Sequence, residues 1–176
     1  MSLNINGNVK KLYLNGDINK RCVGNALVFS AEQIVIPNTF DYPQSAYDTS
    51  LLNYGGTLTV DNSGAKVNTW NTDSGRKHLV CLKIEVSGYN TLTYTATTTG
   101  TNNDSNYKTT IGFGTAIAEN LNVLNIANQW TGAFTKSGTL NVTNYETIYA
   151  IFGQGTTAAG GNYGHGTTGF TSIVLT

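Results

Sequence analysis

Four groups along this chain set an aromatic ring beside amides or acids. Trp70 lies among Asn68, Asn71 and Asp73, and Trp130 follows Asn128 and Gln129. Tyr42 and Tyr47 share a polar stretch over 37–50 with Asp41 and Asp48, and Tyr163 sits with Asn162 and His165. Such groups suit a polyhydroxyl ligand. A sugar ring stacks its apolar C–H face on Trp or Tyr, while Asn, Asp and Gln hydrogen-bond its hydroxyls. The candidate ligand-binding residues are therefore Tyr42, Tyr47, Trp70, Asp73, Trp130, Tyr163 and His165. A hydrophobic core competes for either tryptophan.

Catalytic chemistry finds less support. A hydrolytic triad needs a serine, a histidine and an acid brought together. The chain has 2 histidines. His78 follows Arg76-Lys77 at the head of a strand and reads as a solvated strand end. His165, between Gly164 and Gly166, reads as a loop residue. Paired carboxylates can cleave glycosides, but no pair among the 10 acids is distinguished by spacing. The chain is expected not to be an enzyme. Asp61-Asn62-Ser63-Gly64 and Asn102-Asn103-Asp104-Ser105 carry oxygen ligands that calcium accepts. Turns need the same residues, so no cofactor is expected beyond a structural calcium as the one candidate.

Composition narrows the setting. Charged residues make up 11% of the 176, the formal net charge is zero, and 39% are hydrophobic. Disorder needs low hydrophobicity and high net charge, so this chain folds. With 27 Thr, 22 Asn and 20 Gly, it has residues for pleated strands and for positive-φ turns. The 10 basic residues are scattered, which argues against a phosphate-binding surface and a nucleic-acid partner. No apolar run reaches the length of a membrane-spanning helix, and no basic-then-apolar signal peptide opens the chain. Cys22 and Cys81 leave a single bridge and two free buried thiols both open.

The elements that must position the candidates are strands. Val9, Leu12 and Leu14 lead to Asn15-Gly16, a favoured two-residue turn, then Ile18, which reads as a hairpin. Residues 26–36 are an apolar strand region with a break at Glu32-Gln33. Val80, Leu82, Ile84 and Val86 alternate with Lys83 and Glu85, the clearest strand of the chain. Leu92, Tyr94 and Ala96 alternate with threonines, and Tyr107, Thr109, Ile111 and Phe113 set Gly112 and Gly114 on the other face, where something packs closely. Residues 117–129 fit a short helix or an irregular strand equally. Residues 131–142 read as a strand or hairpin, and 170–176 as a last strand lying beside an early one.

One stretch occurs twice. Ile84-Glu85-Val86-Ser87-Gly88-Tyr89-Asn90-Thr91-Leu92 and Leu140-Asn141-Val142-Thr143-Asn144-Tyr145-Glu146-Thr147-Ile148 share one pattern, 56 positions apart. Each reads as a strand end, a tight corner bearing a tyrosine and a new strand. Tyr89 and Tyr145 are therefore structural, in equivalent turns leading to core-facing Leu92 and Ile148. About nine to eleven such strands predict an all-β protein, an antiparallel β-sandwich (jelly roll) with a small N-terminal hairpin. The expected organisation is an N-terminal segment over 1–25 and the sandwich over 26–176.

Val-Ser-Gly-Tyr-Asn-Thr-Leu, its second version Val-Thr-Asn-Tyr-Glu-Thr-Ile, the terminal Ser-Ile-Val-Leu and the hairpin Lys11–Gly16 resemble the carbohydrate-binding-module-like jelly-roll domains of tailed-phage baseplate and tail proteins. The resemblance covers roughly 9–176. It implies attachment to host cell-surface saccharide or cell-wall glycan, or a structural role in a tail tip, with partners that are further copies in a homotrimer or other virion proteins. It implies a virion or extracellular location, with no membrane insertion, and brings no binding residues with it. A secreted carbohydrate-binding module once attached to a hydrolase is the alternative of another class.

Overall fold

The computed structural model describes residues 4–6, 9–14, 17–23, 26–30, 32–37, 42–52, 56–69, 77–99, 107–129, 132–156 and 166–176, with the first four ranges described as backbone alone. Those four ranges are β1 (Asn4–Asn6), β2 (Val9–Leu14), β3 (Asp17–Val23) and β4 (Ala26–Ser30), which form one antiparallel sheet in chain order. Leu14 pairs with Asp17, so β2 and β3 make the expected hairpin, although its turn pair lies outside the described residues. The small sheet takes in β4, whereas the expected division fell after residue 25. The apolar region over 26–36 is thus shared between two sheets, and its break falls between β4 and the next strand.

The remaining strands are β5 (Gln33–Ile36), β6 (Tyr47–Asp48), β7 (Gly56–Asp61), β8 (Gly64–Thr69), β9 (Lys77–Glu85), β10 (Thr91–Thr98), β11 (Tyr107–Gly114), β12 (Leu124–Gln129), β13 (Phe134–Asn141), β14 (Thr147–Thr156) and β15 (Gly166–Leu175). They form a sandwich of two antiparallel sheets. Sheet I runs β13-β10-β15-β8-β7, with β5 beside the C-terminal half of β15; sheet II runs β12-β11-β14-β9-β6. The last strand does lie beside early ones, β5 and β8. A 3-10 turn, Gln44–Ala46, precedes β6.

Alternation explains the core. Val80, Leu82, Ile84 and Val86 are wholly buried, as are Leu92 and Ala96, Ile148, Ala150 and Phe152, and Phe170, Ile173 and Leu175. Phe113, Phe152, Phe170 and Tyr94 meet between the sheets at ring-centroid distances of 5.3–6.4 Å, each pair worth about 1 kcal/mol beyond burial. At one end the interior is polar. The buried Gln154 amide accepts from Thr69 Oγ1 at 2.6 Å and donates to Thr168 Oγ1 at 2.9 Å. Thr98 and Thr168 hydroxyls bond at 3.0 Å. His78, opposite Gln154 on β9, is 1% exposed. That corrects its reading as a solvated strand end: β9 runs on beneath the Leu52 bridge and Gly56, which cover it.

The repeated stretch proves to be an internal twofold. The first version carries β9 into β10 and crosses from sheet II to sheet I. The second carries β13 into β14 and crosses back. β9 pairs with β14 through Glu85↔Thr147, and β10 with β13 through Thr91↔Asn141, the same register moved by 56 positions. The corners exchange hydrogen bonds in the same way. Val86 N–H donates to Glu146 C=O at 2.9 Å, and Val142 N–H to Asn90 C=O at 3.0 Å. Tyr89 N–H closes on Val86 C=O and Tyr145 N–H on Val142 C=O, so the two tyrosines do occupy equivalent turns.

Residues 117–129 form no helix. Bends over 115–119 lead to β12, whose register on β11 brings Leu124 C=O against Gly112 and sets Asn120 C=O against Gly114. A Cβ at either glycine would collide with that backbone, which is the close packing expected there. Residues 134–141 are one strand through Lys136-Ser137-Gly138, with no hairpin.

Candidate functional site

The outward side chains of sheet II build a groove. The alternation that buries Val80, Leu82 and Ile84 turns Cys81, Lys83 and Glu85 outward on β9. By the same rule Tyr149 faces outward on β14, opposite Lys83. β6 adds Asp48 opposite Cys81. Two segments wall the floor. One is the 3-10 turn with its flanks, giving Tyr42, Ser45, Ala46, Thr49 and Ser50. The other is the bend after β11, where Thr115 N–H and Oγ1 are both tied to the Asn122 side chain and Ile117 stands at the rim, 45% exposed. The result is an open groove of about 740 Å³.

Its electrostatics are set by two carboxylates and one ammonium. Asp48 Oδ1 accepts from Ser50 N–H at 2.8 Å, and hydrogen bonds from Ser50 hold the carboxyl below its ordinary range. Glu85 is paired with Lys83 and accepts from Thr147 Oγ1 at 2.8 Å; these partners, Lys83 first, lower it too. Lys83 is raised in turn by Glu85. Cys81 is a free, buried thiol, so it is not bridged to Cys22. Burial, with Asp48 beside it, pushes that thiol up to about 11. Burial alone pushes the Tyr47 phenol up to about 12.

Of the residues expected from sequence, Tyr42 and Tyr47 meet in this groove. They are only 6% and 7% exposed, so they pack into the core and offer little surface to a ligand. Trp70, Asp73, Trp130, Tyr163 and His165 lie outside the described residues. The strand ends that flank them, at Thr69, Gln129, Thr156 and Gly166, all fall at the Gln154 end of the sandwich. Sequence reasoning missed Tyr149, Lys83 and Glu85 as groove residues. Their outward positions were legible from alternation; their meeting with Asp48 depends on the β6–β9–β14 register. Among the described residues no group of three or more His, Cys, Asp or Glu is arranged to hold a metal ion.

The twofold supplies a comparison within the chain. On sheet I the places of Tyr149, Cys81 and Lys83 are taken by Thr93, Ser137 and Thr139, which line a shallower hollow of about 390 Å³. That hollow carries hydroxyls but no charge, and lacks the two walling segments. The frame is repeated; the charged, aromatic groove is not.

No family model matches this chain, and no curated protein matches it. Among solved structures, a carbohydrate-binding module of the CBM28 type, specific for non-crystalline cellulose, is similar at 12% identity and a TM-score of 0.39, with 81% of this chain and 94% of that one covered.

Proposed function

We propose that this chain is a non-catalytic saccharide-binding module that attaches a phage tail or baseplate to host cell-surface glycan. The observation that carries the binding reading is the groove on sheet II. Tyr149 and Ile117 offer apolar surface there, beside ionised acceptors at Asp48 and Glu85 and hydroxyls at Ser45, Thr49 and Ser50. This pairs a stacking surface with hydrogen-bond partners for sugar hydroxyls. The same electrostatics argue against glycoside cleavage in the groove. A glycosidase general acid needs a raised carboxyl that keeps its proton, and both carboxyls here are lowered. The phage setting draws its support from the paired corner motifs.

Calorimetric titration with host cell-wall polysaccharide and soluble oligosaccharides tests the binding. Tyr149→Ala is expected to weaken it about tenfold, near 1.4 kcal/mol. Lack of binding to every host polysaccharide tried would sink the saccharide reading; binding unchanged in Tyr149→Ala would move the site off this groove. The phage setting is checked by adsorption, where the isolated chain is expected to compete with particles for host cells.

A further inference from the structure

The groove has an imbalance of charge. Asp48 and Glu85 both line it as carboxylates, and among the described lining residues Lys83 is the one cation. That ammonium is already paired with Glu85. Among the described residues, Asp48 has hydrogen bonds from Ser50 alone, two residues along its own strand end. Burial keeps the acidic hydrogens on Cys81 and Tyr47, so neither adds charge to the groove. A ligand in the groove therefore meets more negative than positive charge among the described lining residues, beside the apolar surface of Tyr149 and Ile117. An anionic sugar entering it loses water from its own charge and gains no opposite charge in return. A ligand ammonium near Asp48 gains a charge-assisted hydrogen bond.

We infer that the groove selects saccharides by charge, taking amine-bearing sugars best, neutral sugars less well and acidic sugars least. The selection lies in Asp48, with Lys83 opposing it. This rests on the saccharide-binding reading above. The twofold mate of the groove, with Thr139 for Lys83 and Thr93 for Tyr149, has no charge to select with.

The test uses three hexasaccharides of equal length: glucosamine, N-acetylglucosamine and galacturonic acid. Titration at about pH 6 keeps the amine protonated and the acids ionised. At about 20 mM salt the glucosamine hexamer is expected to bind about fivefold more tightly than its acetylated form, and the galacturonic acid hexamer more weakly than either. The gap is expected to shrink at about 300 mM salt, where screening is stronger. Asp48→Asn is expected to collapse the amine preference and Lys83→Gln to enlarge it. Equal binding of all three hexamers, tighter binding of the acidic one, or a preference untouched by Asp48→Asn overturns the charge selection while leaving saccharide binding intact. If none of the three binds and host polysaccharide also fails, both readings fall together.

Discussion

Cys81 and Tyr47 belong to one strand pair but face opposite ways, and each hides an acidic hydrogen from water. Tyr47 lies opposite Leu82 on the core side; Cys81 lies opposite Asp48, under the groove floor. Their folded values, about 12 and about 11, stand above the ordinary 10 and 9. An acid of this kind stabilises the fold fully below its unfolded value, and the contribution is lost as pH rises toward the folded one. Stability is therefore expected to fall by about 1.4 kcal/mol per pH unit for each group. For the thiol the window runs from about 9 to about 11, and for the phenol from about 10 to about 12. Urea unfolding at stepped alkaline pH checks this, and Tyr47→Phe should remove the later of the two losses. A loss unchanged in that variant would show that the phenol is not held neutral by the fold.

At the scale of elements, the corners make the sharpest case. Val86 and Val142 are both wholly buried and both donate to the opposite corner. Val86→Ala and Val142→Ala are expected to cost about 2 kcal/mol each and to agree within about 0.5 kcal/mol. The tyrosines are expected to part company. Tyr89 Oη donates to Gln33 Oε1 at 2.8 Å and ties β5 to the corner, so Tyr89→Phe should cost about 1 kcal/mol. Tyr145→Phe should cost little, because among the described residues no such bond anchors Tyr145. Denaturant melts of the four variants decide both points. Sequence showed these elements clearly because period-two alternation and corner residues are local signals. β9, β10, β14 and the equivalence of the corners were all legible. The stretch over 117–129 was not, since Leu121 and Leu124 fit a helical stripe. Its form was decided by β11, whose bare glycines let β12 close in. Nor was burial of His78 legible, because the groups that cover it, the isolated bridge at Leu52 and Gly56 of β7, come from elsewhere in the chain.

For the whole molecule, the site was the least legible part. Tyr42, Tyr47 and Asp48 stood out as an aromatic, acidic stretch, but the groove needs Lys83, Glu85, Ile117 and Tyr149, drawn from across the chain. Such distant partners meet only through sheet register, which no local window contains. The internal twofold has a consequence of another kind, in time rather than in contacts. Neither version of the corner can finish alone, because β9 waits for β14 and β10 for β13. Joining them closes a chain loop of about 56 residues, which costs about 3.6 kcal/mol by the logarithmic rule, before any reward arrives. Refolding is therefore expected in the slow range of sandwiches, milliseconds to seconds. While the first version waits, the second version of another molecule fits it equally well. Refolding at rising protein concentration should thus trap a growing share of exchanged dimer, which size-exclusion chromatography would resolve; a monomer fraction independent of concentration would show that each chain closes on itself before it can meet a neighbour.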